Sequence, residues 1–234
     1  MFAVIGDIHG CVNTLELLVR RIKEVYGDID IYATGDLIDR GNNSPQAIDF
    51  VIENEIHPVL GNHDRMFFAY FTDENSPAGK MWQYNASEKT LFDYTKNPAR
   101  LMAHLDFIAG IPLFYDLGSH LLSHAGVGKQ WLSVLKDNGE LDTKYLEKIA
   151  IENIDSETGL LWNRTKILNV GKIQIVGHTP VPNIKFYKES MVYYIDTGAA
   201  NGNKLTALVI TDKGDADIMY EKTDARDMHT LLFR

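Results

Sequence analysis

Three short segments near the start of the chain combine aspartate, histidine or asparagine with glycine, and each follows an apolar, β-prone run. They are Gly6–Gly10 (GDIHG), Gly35–Gly41 (GDLIDRG) and Gly61–Asp64 (GNHD). Asp7 and His9 are two residues apart, so on an extended strand end their side chains point to the same side. A carboxylate and an imidazole that converge there suit a divalent ion such as zinc, manganese or iron. The pattern therefore predicts a metal site with hydrolytic chemistry.

The elements that position these residues are predicted to alternate between strands and helices. Phe2–Ile5, Ile29–Thr34 and Pro58–Leu60 read as strands, whereas Val12–Tyr26 and Ser44–Asn54 have helical periodicity. This alternation predicts an α/β fold, in which ligands gather beyond the carboxyl ends of the strands. Glycine and aspartate are also ordinary turn residues, but turn chemistry does not require histidine and asparagine after successive strands.

The second half of the chain repeats this arrangement. Two further apolar runs end in a histidine, at His124 (LLSHAG) and His178 (IQIVGHTP), and a third (YYIDTG) ends in Asp196. Four of the eight histidines are thus predicted at strand ends: His9, His63, His124 and His178. The other four are expected at the surface or satisfied within the core: His57, His104, His120 and His229.

The ordered set of motifs resembles the calcineurin-like metallophosphoesterases. GDIHG, GDLIDRG, GNHD, SHAG, LLWNR, GHTP and YIDTGA occur in the family's order between Gly6 and Ala199. Within that superfamily the chain looks most like the phosphoprotein phosphatase branch, in its bacterial and bacteriophage lambda-type form. The resemblance implies a four-layer αββα sandwich, with two mixed β-sheets flanked by helices. We expect one such domain over residues 1–234.

The resemblance also implies two divalent metal ions, with manganese expected first and iron or zinc as alternatives. The six ligands that it implies are Asp7 and His9 on the first ion, Asp36 bridging, and Asn62, His124 and His178 on the second. Two such ions about 3.5–4 Å apart clamp a phosphoryl group and activate a shared water for in-line attack. Neither Asp64 nor Asp196 is expected to contact a metal: Asp64 is expected to support a ligand or the N-terminus of a helix, and Asp196 to support a ligand or form a turn at a strand end.

Four further residues match the catalytic positions of the family. His63 corresponds to the general acid that protonates the leaving oxygen, and Asp39 to the carboxylate that orients its imidazole. Arg40 and Arg164 correspond to arginines that hold the non-bridging phosphate oxygens. For Arg40, the alternative is a surface salt bridge.

These roles imply an enzyme that hydrolyses phosphomonoesters, with a phosphorylated serine or threonine of a protein or peptide as the first choice of substrate. The alternative is symmetric cleavage of dinucleoside tetraphosphates, which uses nearly the same motifs. A third reading is a phosphate-sensing module without turnover. The intact set of implied ligands argues against that third reading.

Composition excludes other classes of function. Hydrophobic residues make up 45% of the 234 residues, charged residues make up 24%, and the net charge is −9. Such an acidic chain lacks the basic footprint of general nucleic-acid binding. No apolar run approaches the roughly 18 residues of a membrane helix, so we expect no membrane partner and a cytoplasmic location. Cys11, the single cysteine, is expected to be small, buried and inert.

The remaining segments carry predictions of structure rather than of chemistry. Phe71–Gly79 is predicted as a polar loop, Ser87–Ile108 as helical and Ile111–Leu117 as a strand. Gln130–Lys136 and Thr143–Asn153 are predicted as helical, and the C-terminal part as antiparallel strands. Five aromatic residues could line a substrate groove, although core packing is expected for most of them: Trp82, Tyr84, Phe92, Tyr94 and Trp131.

Overall fold

A computed structural model describes residues 1–85 and 88–228, and two five-stranded sheets form its centre. The first sheet has the order β10-β9-β1-β2-β3. Its strands are β1 (Phe2–Ile5), β2 (Asp30–Ala33), β3 (His57–Pro58), β9 (Lys204–Ile210) and β10 (Ala216–Lys222). Strands β1, β2 and β3 run parallel, whereas β9 is antiparallel to both β1 and β10, so the sheet is mixed.

The second sheet contains the five remaining strands of the described residues. They are β4 (Phe114–Leu117), β5 (His120–Ser123), β6 (Ile173–Val176), β7 (Lys185–Tyr187) and β8 (Val192–Tyr194), in the order β4-β5-β6-β8-β7. The pairs β5–β6 and β6–β8 are parallel, and the two outer pairs are antiparallel. The predicted pair of mixed sheets is confirmed.

Helices cover the outer faces of this pair of sheets. They are α1 (Val12–Tyr26), α2 (Ser44–Glu53), α3 (Asn62–Thr72), α4 (Pro77–Trp82), α5 (Glu88–Thr95), α6 (Pro98–Ala109) and α7 (Thr143–Glu152). In α1 the buried residues Leu15, Leu18 and Ile22 recur at helical spacing and form one apolar stripe. No helix among the described residues is long and apolar enough to cross a membrane.

Separate apolar clusters hold these layers together. Val4 and Leu208 of the first sheet pack with Leu122 and Ile175 of the second, which forms the core between the sheets. A larger cluster lies between the first sheet and the helices that cover it. The arrangement is the four-layer α/β sandwich that the sequence predicts, and it brings the carboxyl ends of strands from both sheets to one edge.

Several predicted boundaries are wrong in the region after α3. The predicted polar loop Phe71–Gly79 is shorter, because α3 continues to Thr72 and α4 begins at Pro77. The predicted helix Ser87–Ile108 is two helices, α5 and α6, and Ser87 itself lies outside the described residues. The break has a local cause, since Pro98 opens α6 and the Asn97 side chain accepts a hydrogen bond from the Arg100 N–H.

Smaller corrections apply elsewhere in the chain. The predicted helix Gln130–Lys136 is a 3-10 segment at Lys129–Val134, interrupted by non-helical backbone at Trp131. The predicted strand Ile111–Leu117 is confirmed only as the shorter β4, and the third strand is β3, a single pair of residues. Helices α1, α2 and α7 are confirmed to within one residue of their predicted ends.

The C-terminal segment braces the start of α1. Asp227 is fully buried, and its carboxylate accepts five hydrogen bonds, two from Asn13, two from Thr14 and one from Asn43. Cys11, the residue before α1, provides no side-chain cap of its own. Asp227 therefore caps α1 from more than 200 positions away in the sequence, where its negative charge also complements the helix dipole.

Candidate metal centre

The predicted ligands lie at the ends of five strands. Asp7 and His9 follow β1, Asp36 follows β2, and Asn62 opens α3 after β3, while His124 and His178 follow β5 and β6 of the second sheet. None of these six side chains, nor that of His63, is more than 7% exposed. Buried carboxylates and imidazoles require compensating partners, so a cluster of them marks a site rather than ordinary packing.

The backbone at this edge is strained. Among the described residues, seven non-glycine residues have positive φ angles, and five of them belong to the predicted site: His9, Asp36, Asp39, Arg40 and His178. Left-handed backbone is costly for residues with a side chain, and such strain concentrates at functional sites. Two glycines are required by close approach, because a side chain at Gly61 would collide with Asp36 and one at Gly177 would collide with Asp7.

Asn62, His124 and His178 form what we call the acceptor corner. His124 donates its Nδ1–H to the Thr34 carbonyl at 2.7 Å, which leaves its Nε2 with a bare lone pair. That nitrogen lies 2.9 Å from Asn62 Oδ1 and 3.2 Å from His178 Nδ1, and the latter two atoms are 3.0 Å apart. Three atoms that can accept hydrogen bonds therefore lie close together, and few N–H groups are available to donate between them.

The pKa values of both imidazoles in the acceptor corner are lowered. Burial lowers the pKa of His124, and burial together with His124 lowers the pKa of His178 to about 3. Both imidazoles are therefore neutral at pH 7. His178 Nε2 is buried and has no hydrogen-bond partner among the described residues. A cation that takes the lone pairs of Asn62, His124 and His178 fits this donor set.

The carboxylates of Asp7 and Asp36 lie beside the acceptor corner. Asp7 accepts hydrogen bonds from Thr34 Oγ1 at 2.5 Å and from the His178 N–H at 2.9 Å. One ligand atom each from Asp7, Asp36 and His124 lie within 4.8 Å of one another. Burial, followed by Asp196 and Asp36, raises the pKa of Asp7. Such a concentration of buried negative charge is what divalent cations offset.

Asp36 lies between two groups of imidazoles. Its Oδ2 is 3.4 Å from His9 Nε2, and its Oδ1 is 3.6 Å from His124 Nε2. Burial alone would raise the pKa of Asp36, but His124, His63 and His9 lower it overall, so this carboxylate stays ionised. An ionised carboxylate whose two oxygens face opposite sides suits the bridging position that the sequence predicts.

A second group, which we call the acid corner, consists of Asp39, His63, Trp82 and Thr90. His63 Nδ1 lies 2.7 Å from Asp39 Oδ2, and that fully buried carboxylate also accepts from Trp82 Nε1 at 2.9 Å and Thr90 Oγ1 at 2.8 Å. Burial lowers the pKa of His63, but Asp36 and Asp39 more than offset this, so its pKa is raised. The raised pKa favours the protonated form of the His63 imidazole.

Arg40 connects the acid corner to His9. Its guanidinium donates to His9 Nε2 at 2.8 Å and to His63 Nε2 at 2.9 Å. The other nitrogen of His9 donates to the Ile38 carbonyl at 2.8 Å, so His9 Nε2 carries a lone pair that accepts from Arg40 here and can bind a cation once Arg40 turns away. By distance alone His63 could also be a ligand, since one atom each from His9, Asp36 and His63 lie within 4.8 Å.

The remaining predicted residues lie around this centre. Asp64 accepts hydrogen bonds from the Leu37 and Gly61 N–H groups, and burial raises its pKa to about 7. Asp196 accepts from the Gly198 N–H in a turn after β8, and burial raises its pKa to about 6. Arg164 is exposed; burial lowers the pKa of His178 and the charge of Arg164 adds to this, whereas at Asp196 the same charge opposes the burial that raises the pKa. Its role in phosphate binding stays a prediction.

Three of the four histidines outside the centre have the surroundings expected of them. His57 is exposed, and the buried His104 hydrogen-bonds Tyr94 at 2.6 Å and Asp49 at 2.8 Å. His120 is buried beside Ser119, and His229 lies outside the described residues. Three of the five aromatic residues expected in a groove or in the core are buried: Trp82, Tyr94 and Trp131. Tyr84 and Phe92 are exposed. Cys11 is buried, as expected.

Sequence reasoning missed the residues that hold the ligands in place. Thr34 contacts Asp7 through its hydroxyl and His124 through its carbonyl, so one residue links both halves of the site. Its position directly before Gly35-Asp36 is a signal that could have been used. Trp82 and Thr90 come from α4 and α5, and only the folded chain shows that they contact Asp39.

The family profile of calcineurin-like phosphoesterases matches residues 1–209. The chain belongs to this family. Its members bind divalent metals, which agrees with the donor set of the acceptor corner, although the metal's identity does not follow from the match.

Relatives of this chain carry three different names. A symmetrical bis(5'-nucleosyl)-tetraphosphatase of Neisseria meningitidis is 34% identical over 130 residues, which cover 54% of this chain but only 44% of the Neisseria protein. The asymmetrical bis(5'-nucleosyl)-tetraphosphatase PrpE of Anoxybacillus flavithermus is 26% identical and covers 89% of both chains. Serine/threonine-protein phosphatase 1 of Salmonella typhimurium is 26% identical over 87% of this chain and 88% of its own length.

A solved structure supports the fold. The cold-active protein-tyrosine phosphatase of a psychrophilic Shewanella species aligns with a TM-score of 0.67 and 15% identity, over 95% of this chain and 80% of that one. At this identity the likeness concerns the fold alone. The chain is therefore a metallophosphoesterase with a calcineurin-like architecture, and its substrate is a separate question.

Proposed function

We propose that this protein is a metal-dependent hydrolase of dinucleoside polyphosphates. The observation that carries the choice of substrate is the similarity to bis(5'-nucleosyl)-tetraphosphatases, one of which aligns over 89% of both chains. The sequence alone put phosphorylated serine or threonine first and dinucleoside tetraphosphates second, and the relatives favour the reverse order. Phosphoprotein hydrolysis stays the second candidate, because the Salmonella phosphatase aligns over nearly as much of the chain.

The proposed metal ligands are those predicted from the sequence. Asp7 and His9 would hold one divalent ion, Asp36 both, and the acceptor corner the second, with manganese as the proposed metal. When bound, such a pair of ions supplies Lewis acidity towards the phosphoryl oxygens and an activated water. The buried negative charge around Asp7 and the neutral imidazoles of the acceptor corner support this assignment.

The protein's own residues supply proton transfer and phosphate binding in this proposal. His63 holds a proton for the leaving oxygen, and Asp39 stabilises the charged imidazole from the other side of the ring. Arg40 donates to two imidazole nitrogens in the structure, and it can turn the same N–H groups towards phosphate oxygens. Once it does so, His63 Nε2 no longer accepts from Arg40, and it can take up the proton that it then donates to the leaving oxygen.

A competition assay tests the choice of substrate. We expect kcat/KM with manganese to be at least about a hundredfold higher for diadenosine tetraphosphate than for a phosphoserine peptide, or about 2.7 kcal/mol of transition-state discrimination. Preference for the peptide would assign the protein to phosphoprotein hydrolysis instead. If neither substrate nor p-nitrophenyl phosphate is hydrolysed with excess manganese, the protein is a phosphate-sensing module and the proposed function is wrong.

A further inference from the structure

A cleft of about 560 Å³ opens beside the metal centre, on the outer face of the second sheet. Two of its lining residues adjoin the site: Arg164, a proposed phosphate ligand, and Thr179, which directly follows His178. From there the cleft extends over β7 and β8. Its volume falls within the range of about 300–1,000 Å³ that is usual for small-molecule sites.

The floor of the cleft is apolar and aromatic. Ile167 and Val192 are buried in a small cluster that Tyr194 packs against. Tyr187 is paired with Val192 across the β7–β8 ladder, so Tyr187, Val192 and Tyr194 share one face of the sheet. The rings of Tyr187 and Tyr194 lie edge to face with centroids 5.6 Å apart, and Tyr187 is 49% exposed. Two aromatic rings thus line the cleft.

The rim of the cleft is positively charged in a chain whose net charge is −9. Arg164, Lys166 and Lys188 line it together with one carboxylate, Glu189. Lys166 and Glu189 form an exposed ion pair at 2.9 Å, which leaves the charges of Arg164 and Lys188 as the surplus. Positive charge along a path that leads from the metal centre favours a ligand whose negative charge also extends beyond one phosphoryl group.

We propose that this cleft binds a terminal nucleoside of the dinucleoside polyphosphate, with its base packed on Tyr187 and Tyr194. This inference rests on the proposed function. The phosphate chain would then run past Arg164 to the metal centre. The aromatic rings match the π-face of a base, whose stacking contributes about 1–3 kcal/mol, and the cations match the polyphosphate. A peptide with one phosphorylated residue places no comparable charge along the cleft.

The first test compares two substrates in the same variants. In Tyr187→Leu and Tyr194→Leu, we expect the ratio of kcat/KM for diadenosine tetraphosphate to kcat/KM for p-nitrophenyl phosphate to fall about tenfold, the effect of losing one stacking partner. Tyr194→Phe keeps the ring and should keep the ratio within about twofold of the unaltered protein. Phe186→Leu is the matched control, since Phe186 lies on the same strand and alternates to the opposite face.

The second test measures binding without relying on cleavage of a dinucleotide. Adenosine 5'-monophosphate should inhibit hydrolysis of p-nitrophenyl phosphate at about tenfold lower concentration than inorganic phosphate. Tyr194→Leu should remove that difference, while thermal melting shows that the variant is folded. If AMP inhibits no better than phosphate in the unaltered protein, the cleft does not bind a nucleoside.

The possible failures are distinguishable. If the unaltered protein does not cleave diadenosine tetraphosphate, the proposed function fails, and AMP inhibition still decides whether the cleft binds a nucleoside. If it cleaves the dinucleotide but the tyrosine variants keep the substrate ratio, the cleft assignment is wrong and the proposed function stands. If the variants lose as much activity towards a phosphoserine peptide as towards the dinucleotide, the cleft is a peptide groove and the nucleoside proposal is overturned.

Discussion

The acceptor corner and the acid corner both contain histidine, but they use it for opposite purposes. In the acceptor corner, His124 donates to a backbone carbonyl and faces two other atoms that can accept, and burial lowers its pKa. In the acid corner, His63 lies 2.7 Å from a buried carboxylate, and its pKa is raised even though it is almost as buried. Burial is nearly equal in the two corners and Asp36 raises the pKa of both imidazoles, so the added carboxylate of Asp39 distinguishes His63 from His124.

Histidines of one cluster can therefore differ in protonation, and so in the role proposed for them. A backbone carbonyl carries no net charge, so it fixes the tautomer of His124 and raises its pKa by less than burial lowers it. A carboxylate such as Asp39 favours the imidazolium form. Histidine type and strand-end position identify the cluster, whereas the partner atom distinguishes the proposed metal ligand His124 from the proposed acid His63.

The largest effect is expected from removing the negative charge of Asp36, which lies between His9 and His124. Asp36→Asn should weaken metal binding at both positions and lower turnover by about 10⁴-fold or more, because a neutral amide replaces the carboxylate that is proposed to bridge the two ions. The check is manganese-dependent kcat together with bound metal after dialysis. Full activity of this variant after removal of metal would contradict a mechanism that uses two ions.

The next largest effect is expected in the acid corner. His63→Asn should retain its metals and lose about 10²–10⁴-fold in turnover of an alkyl phosphate, the usual contribution of a general acid. The loss should be smaller for p-nitrophenyl phosphate, whose leaving group needs little protonation. Equal losses on alkyl and aryl phosphates would show that His63 is not the acid.

A smaller effect is expected from a residue that acts through Asp39. Trp82→Phe keeps most of the buried ring and removes only the Nε1–H that Asp39 accepts. We expect turnover of alkyl phosphates to fall about three- to tenfold, with less change for p-nitrophenyl phosphate. This is less than the about 1.5–3 kcal/mol of a hydrogen bond to a charged group, because the loss reaches the reaction only through Asp39. Trp131→Phe, a change at a buried tryptophan in a separate cluster, is the control and should affect both substrates equally.

The smallest effect on turnover is expected at Asp227, which braces the segments beside His9 and Arg40 rather than the acceptor corner. Asp227→Asn should lower the free energy of unfolding by about 1–3 kcal/mol, since buried donors lose a charged acceptor. Turnover should change only a few-fold. Asp215→Asn, at an exposed turn, is the control and should leave thermal unfolding unchanged. An equal change in both variants would show that the brace contributes nothing.

The sequence predicted the fold and the positions of the proposed ligands because both depend on short-range patterns. Apolar runs that end in Asp7, Asp36, His124 or His178 place these residues at strand ends, and parallel strands bring their ends to one edge. The supporting contacts depend instead on long-range packing. Thr90 and Asp39 are 51 positions apart, so no local pattern predicts their hydrogen bond.

The break between two helices and the choice of substrate were harder to predict, for different reasons. The division of Ser87–Ile108 into two helices depends on Asn97 and Pro98, whose capping signal was present but not weighed against the helical periodicity. The choice between a peptide and a dinucleotide depends on surfaces outside the metal ligands. The cleft over β7 and β8 is such a surface: its two strands form a local hairpin, but Arg164, Ile167 and Thr179 join it only in the folded chain.

The division of work between the two corners is tested most directly by counting bound metal. Manganese should be measured per chain in the unaltered protein, in His63→Asn and in His124→Ala, after equilibration at one free concentration. The account predicts two ions in the unaltered protein and in His63→Asn, and about one in His124→Ala. If His63→Asn loses an ion as His124→Ala does, then His63 is a ligand together with His9 and Asp36, and the assignment of an acid corner is wrong.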